Sequence, residues 1–237
     1  MNKHNQELFL SNIGYTFSNN SLFENAITHS SYAHEQNLPY EKNNERLEYL
    51  GDAVLELVTS RYIFENYPEM VEGSMTTLRA SLVCEMSLAA AAREINLGDI
   101  LILGHGEEKT GGRERDSVLS DAFEAVIGAI YLDGGLNEAE RFIKIYLLTD
   151  IESKQLYYDA KSKLQEMIQD CFHEHTDISY AVLDESGPAH KKNFVVSCRI
   201  QGREISTGSG QNKKKAEQDA AYHALLELRN KDVLSYF

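Results

Sequence analysis

Residues 45–56, Glu45-Arg-Leu-Glu-Tyr-Leu-Gly-Asp-Ala-Val-Leu-Glu56, decide how this chain is read. At about 100° per residue of an α-helix, Glu45, Glu48, Asp52 and Glu56 fall within roughly 80° of one another. Leu47, Leu50, Val54, Leu55, Leu57 and Val58 take most of the remaining circumference. A helix that is apolar almost all round is a buried one, so the pattern predicts carboxylates in or beside a core. Two like charges about 4 Å apart repel by roughly 4 kcal/mol at an effective dielectric near 20. A divalent cation offsets that repulsion; the bland alternative is a set of acids that are solvated or paired with arginine.

A second acidic pair strengthens the first. Asp121 and Glu124 stand three apart in Ser117-Val-Leu-Ser-Asp-Ala-Phe-Glu-Ala-Val-Ile-Gly-Ala-Ile-Tyr-Leu132, another apolar helix, which runs out at Asp133-Gly134-Gly135. That spacing puts both acids on one face, and Ala122, Ala125, Gly128 and Ala129 permit close packing against a neighbouring helix. Two such helices together can form an oxygen cage for Mg²⁺ or Mn²⁺.

These residues carry a resemblance. Glu45-Arg-Leu-Glu-Tyr-Leu-Gly-Asp-Ala53 resembles the nine-residue signature of the ribonuclease III family. Its flanks agree: Ala26-Ile-Thr-His-Ser-Ser-Tyr32 upstream, Glu72-Gly73 and Leu78-Arg79-Ala80 downstream, then Leu103-Gly-His-Gly-Glu107 through Gly111-Gly-Arg113. The resemblance implies an endonuclease that hydrolyses double-stranded RNA, leaves 5′-phosphate and 3′-hydroxyl ends, and processes precursors of ribosomal RNA and of some messenger and transfer RNAs. It implies Glu48, Asp121 and Glu124 as ligands of Mg²⁺, with Mn²⁺ as a substitute. Asp52 orients or deprotonates the attacking water, and Glu124 joins a catalytic role to its ligand role. Glu45 and Glu72 are assigned behind the ligands or at a subunit interface, and Glu56 to structure. A single signature copy implies a homodimer for paired cuts on opposite strands. A cleavage-inactive scaffold that only binds double-stranded RNA is the alternative; such a relative is expected to have lost an acid, and none is missing here.

Composition sets the bounds. The 237 residues suffice for one or two domains with cores of their own. No apolar run approaches the ~18 residues of a membrane span, and Met1-Asn-Lys-His-Asn-Gln-Glu7 carries no secretory signal. Cys84, Cys171 and Cys198 are odd in number and scattered, which fits reduced thiols and a cytoplasmic protein. The net charge of −14 argues at first against a nucleic-acid partner. Its distribution answers that: residues 1–158 hold 12 Lys and Arg against 25 Asp and Glu, whereas residues 187–215 hold seven Lys and Arg against one acid. The basic footprint sits on one small module, so duplex affinity is expected to be modest and salt-sensitive.

Up to about residue 150 the apolar residues recur at helical spacing in Leu8–Ile13, Leu22–Ile27, Leu47–Ile63, Leu78–Ile95, Val118–Leu132 and Ala139–Leu148. The expectation is an all-α catalytic domain over 7–150 and a short polar-aromatic linker over 151–158. An α+β module over 159–230 follows. In it Ala160–Phe172 is an amphipathic helix, and Tyr180–Leu183, Phe194–Ile200 and Glu204–Thr207 are strands. Gln201-Gly202 is a turn, and Lys213–Leu228 a closing helix. This α-β-β-β-α order resembles a double-stranded-RNA-binding domain. Lys213, Lys214 and Lys215 begin the last helix, where a helix N-terminus disfavours cations unless an anion binds. The resemblance makes them the phosphate contact. It places the loop residues Gly187, Pro188 and His190 in one minor groove, and Gln165 and Glu166 of the first helix in a neighbouring one. Such a module reads A-form shape over about 16 base pairs.

Three other patterns are weaker. Gly104-His-Gly-Glu-Glu-Lys-Thr-Gly-Gly112 has Lys109 where a nucleotide-binding loop needs glycine, so no nucleotide cofactor is expected. It reads as the loop before the second acidic helix, with Arg113 and Arg115 as candidates for touching substrate phosphate. Cys171-Phe-His173-Glu-His175 lacks a fourth ligand for zinc. His29 reads as a structural histidine hydrogen-bonded near a helix start.

Overall fold

The computed structural model describes residues 3–172, 177–187 and 192–229, and its contacts divide the chain into two compact units, 1–151 and 152–237. The first is helical: α1 (Lys3–Ile13), α2 (Asn20–Ala26), α3 (Ser30–Glu35), α4 (Glu45–Asn66), α5 (Glu72–Leu82), α6 (Glu85–Glu94), α7 (His105–Lys109), α8 (Asp116–Gly134) and α9 (Leu136–Tyr146). Among its described residues the one β feature is an isolated parallel bridge, Thr28 to Ile102. The all-α reading therefore holds.

Helix α8 is the axle of this unit. Ala122, Phe123, Ala125, Val126, Ile127, Ala129 and Ile130 are fully buried, which explains why its sequence is apolar nearly all round. Phe123 meets Phe142 of α9 with ring centroids 5.3 Å apart. Leu55, Val58 and Ile63 of α4 and Leu78 and Leu82 of α5 join the same core. Each such side chain contributes about 1.5–3 kcal/mol by leaving water.

Two expectations for this unit need correction. The run Leu78–Ile95 is two helices, broken at Val83-Cys84, where Cys84 is extended (φ −71°, ψ 154°). The Ser87 hydroxyl donates to the carbonyl oxygen of Ser81 at 2.8 Å, satisfying a buried acceptor that α5 leaves at its end. Helix α4, in turn, is not buried all round. Tyr49, Leu57 and Phe64 are 81%, 57% and 72% exposed, a stripe on the flank away from α8. Apolar periodicity registers that a face avoids water, and does not say whether its own chain supplies the cover.

The second unit contains α10 (Ile151–Tyr158) apart from its first residue, then α11 (Ala160–Phe172), β1 (Ile178–Ser186), β2 (Asn193–Ile200), β3 (Arg203–Gly210) and α12 (Lys213–Arg229). The segment read as a linker is thus helical. Its Leu156 lies in this unit's core, and the Gln218 side-chain amide donates to the carbonyls of Tyr157 and Tyr158 at 2.6 and 2.7 Å. The strands form an antiparallel sheet in the order β1-β2-β3, with Val196 opposite Val182 on one side and Gly208 on the other. Gln201 (φ 51°) and Gly202 (φ 77°) both have left-handed backbone, which makes the two-residue β2–β3 turn of a tight hairpin. Phe194, Val196, Cys198 and Ile200 are buried at alternate positions, as are Ala216, Ala220, Ala221, Ala224, Leu225 and Leu228 of α12. This is the predicted α+β module.

Candidate metal centre and RNA-binding module

The site begins with a crossing of helices. At Gly51 of α4 an added Cβ would lie 1.8 Å from the Glu124 carbonyl oxygen, and at Gly128 of α8 it would lie 2.2 Å from that of Leu47. Only glycine at both positions lets the two backbones touch. With the axes that close, Glu48 one turn before Gly51 meets Glu124 and Asp121, one and two turns before Gly128. Oxygens of Glu48, Asp121 and Glu124 all lie within 4.8 Å of one another, each residue half-buried.

Electrostatics follow from this packing. Burial, then the negative charges of Asp52, Glu48, Asp121 and Glu56, push the Glu124 carboxyl up to about 8. Glu48 is raised by burial and by Asp121, Glu45 and Asp52. Asp121 is raised by burial too, against the lowering effects of a Ser120 hydroxyl bond at 3.3 Å and the nearby His29. Three carboxylates that resist ionising side by side are a donor set suited to a hard divalent cation.

The other acids occupy distinct positions. Asp52 is exposed at the rim, and its charge is the largest electrostatic influence on Glu124. Glu45 is exposed at the α4 start, where its backbone N–H donates to Asn43 Oδ1 at 3.1 Å. Glu72 is not brought to the cage. It lines a groove of about 630 Å³ with Leu57, Phe64, Met75 and Arg79 on the exposed flank of α4 and α5. Glu56 pairs with Arg79 at 2.8 Å.

Three further placements bear on the sequence reading. His29 caps α3: its Nδ1 accepts from the Ser31 N–H at 3.2 Å, as a structural histidine does. Arg113 is tied to Glu108 and donates to the carbonyls of Gly98 and Leu101 at 2.6 and 2.9 Å; Arg115 is paired with Glu107. Both guanidinium groups therefore hold the loop before α8 in place. The sequence reading overlooked Gly51, and its signal was there: a glycine one residue from an acid within a long helix, where glycine costs about 1 kcal/mol relative to alanine, calls for a packing reason.

In the second unit, Gln165 and Glu166 are exposed on α11, with Glu166 paired to Lys163 at 2.7 Å. Asn212 caps α12 by accepting from the Lys215 N–H at 2.9 Å. Lys213 and Lys214 are exposed beside it and Lys215 is half-buried. Gly187 follows β1 with φ 88°. Pro188 and His190 lie outside the described residues, as do His173 and His175 of the suggested zinc pattern.

A carboxylate cage on a helical unit, followed by an α-β-β-β-α module, defines the class: a metal-dependent nuclease joined to an RNA-binding domain. Comparison with known proteins agrees. The ribonuclease-III-like family matches residues 19–151, and the double-stranded RNA binding motif matches residues 160–228. Ribonuclease 3 of Syntrophomonas wolfei is 50% identical over 220 residues, 92% of each chain. That of Geobacillus thermodenitrificans is 46% identical over 222 residues, covering 93% of this chain and 89% of its own. The nuclease domain of ribonuclease III from Campylobacter jejuni shares the fold with a TM-score of 0.53 at 42% identity, over 58% of this chain and 95% of that one. That structure is described as flexible in a region involved in dimer formation. The chain belongs to the ribonuclease III family, and it is an endoribonuclease.

Proposed function

We propose that this protein is a Mg²⁺-dependent endonuclease of double-stranded RNA that works as a homodimer in the cytoplasm, leaving 5′-phosphate and 3′-hydroxyl ends. Precursors of ribosomal RNA, and of some messenger and transfer RNAs, are its substrates. The observation that carries this reading is the convergence of Glu48, Asp121 and Glu124 oxygens within 4.8 Å, on a chain that also holds a double-stranded RNA binding motif. The catalytic domain spans 7–150 and the RNA-binding domain 159–230, joined through 151–158.

Glu48, Asp121 and Glu124 hold the ion, with Mn²⁺ able to stand in. A bound Mg²⁺ lowers the pKa of water and neutralises charge developing on the phosphate. Asp52, at the rim and open to solvent, orients or deprotonates the attacking water. Glu124 combines ligation with a catalytic role. Glu45 supports the ligands from the start of α4, and Glu72 belongs to the subunit interface. Lys213, Lys214 and Lys215 take phosphates, while Gln165, Glu166, Gly187, Pro188 and His190 approach the minor grooves.

The homodimer is supported by the uncovered stripe of Tyr49, Leu57 and Phe64 and the groove beside it, which a second copy related by a twofold axis covers. Free Cys84, Cys171 and Cys198 support a reducing compartment, and among the described residues no helix is long and apolar enough to cross a membrane. A divalent-metal titration with end-labelled RNA tests the function. Cleavage of duplex that rises with Mg²⁺ and disappears on chelation is expected, with single strands left intact. Duplex binding without cleavage at any metal concentration indicates the inactive scaffold instead.

A further inference from the structure

We infer that Gly51 and Gly128 are positioning residues that set the width of the carboxylate cage and thereby its preference for a small divalent cation. The inference rests on the reading of Glu48, Asp121 and Glu124 as the ion's ligands, and adds to it what holds them at their spacing.

The crossing of α4 and α8 is defined by backbone contacts at these two positions. A Cβ on Gly51 would meet the Glu124 carbonyl oxygen at 1.8 Å and the Gly128 nitrogen at 3.0 Å. A Cβ on Gly128 would meet the Leu47 carbonyl oxygen at 2.2 Å and the Gly51 nitrogen at 3.1 Å. Every atom met is backbone, so no side chain can swing aside, and relief requires the helices to part. The backbone atoms involved belong to the ligands or their neighbours. Glu124 supplies the carbonyl that faces Gly51, and Leu47, which faces Gly128, is followed directly by Glu48. Any separation at the crossing therefore passes to the distance between Glu48 on α4 and the pair on α8.

Cation size converts that distance into selectivity. Mg²⁺ takes oxygens at about 2.0–2.1 Å with near-ideal octahedral demands, whereas Ca²⁺ accepts about 2.3–2.6 Å and irregular shells. A cage widened by part of an ångström loses Mg²⁺ and still suits Ca²⁺. A glycine pair that served only to fill the core would, on replacement, weaken both ions alike through general loosening.

Calorimetric titration of the full-length protein with Mg²⁺ and with Ca²⁺, in the absence of RNA, distinguishes the two. Circular dichroism confirms helical content, and the Glu124→Gln variant locates the binding heat at the cage. Gly128→Ala is expected to raise the Mg²⁺ dissociation constant by about 10–100-fold, the range seen when groups supporting metal ligands are removed. The Ca²⁺ constant changes far less, so the ratio of the two moves towards Ca²⁺. An unchanged ratio overturns the inference, whether the affinities stay or fall together. Should Gly128→Ala fail to fold, Gly51→Ala is titrated in its place: a ratio moved towards Ca²⁺ is expected, and an unchanged ratio overturns the inference. No divalent binding at all by the unaltered chain refutes the ligand assignment itself, a separate failure.

Discussion

Glu124 concentrates the physics of the site. It is a carboxyl buried beside other carboxyls and pushed up to about 8, against an ordinary value of 4.5. Across that interval the folded, metal-free protein keeps a proton that the unfolded chain has released. By linkage, the contribution of Glu124 to the stability of the metal-free protein is fully present below about pH 4.5 and is lost as pH rises towards 8. Glu48 and Asp121 are shifted in the same direction and add to the trend. Urea midpoints measured in chelator from pH 5 to 8 are expected to fall for the unaltered protein and to fall less steeply for Glu124→Gln. A midpoint that climbs with pH, or an equal slope in the two proteins, contradicts the assignment of Glu124 as the strained acid. Saturating Mg²⁺ binds the ionised cage and is expected to restore most stability at the alkaline end.

Single helices show how a local feature becomes a surface. The first turn of α12 carries three lysines at a helix terminus that disfavours them, with Asn212 rather than an acid as its cap. Replacing Lys213, Lys214 and Lys215 by alanine is expected to weaken duplex binding, and to flatten its dependence on salt by about one unit of log–log slope for each lysine that contacts a phosphate. Filter binding over a range of salt concentrations reads both; unchanged affinity and slope show that the lysines contact no phosphate. Elements were legible wherever one residue pattern served one purpose. The alternation of Phe194, Val196, Cys198 and Ile200 marked β2, and the alanines of α12 marked its inner face. Legibility failed where a tertiary partner decided. The Ser87–Ser81 hydrogen bond lies across the break between α5 and α6, and apolar spacing carries no mark of it. Helix α3, by contrast, was marked at its start: His29 reads from the sequence as a histidine hydrogen-bonded near a helix start, and its ring nitrogen caps α3 in place of the usual Ser, Thr, Asp or Asn. The acids could be assigned to faces, and Gly128 to a close-packing surface, from the sequence alone, yet that Gly128 packs on α4 opposite Gly51 appears only when the two helices are placed together.

At the scale of the whole molecule, the acidic helical unit and the module that carries the basic stretch 187–215 divide the work between chemistry and capture, which reconciles a net charge of −14 with an RNA partner. The uncovered stripe on α4 makes the state of assembly testable. Phe64→Asp, at a side chain 72% exposed in the single chain, costs little folding stability but places a charge in the proposed interface. Sedimentation equilibrium is expected to report a dimer for the unaltered protein and a monomer for the variant, with cleavage lost in parallel; a dimer in both places the interface elsewhere.

The claim beneath the rest is that oxygens from α4 and α8 gather one divalent ion where a duplex is cut. The most direct measurement compares Glu124→Ala with the unaltered enzyme for cleavage of an end-labelled RNA duplex in Mg²⁺, alongside duplex binding by gel shift. Cleavage is expected to fall by at least about 10²–10³-fold, the scale for loss of one preorganised electrostatic contact at a reacting centre, with binding unchanged. Turnover close to that of the unaltered enzyme contradicts the account.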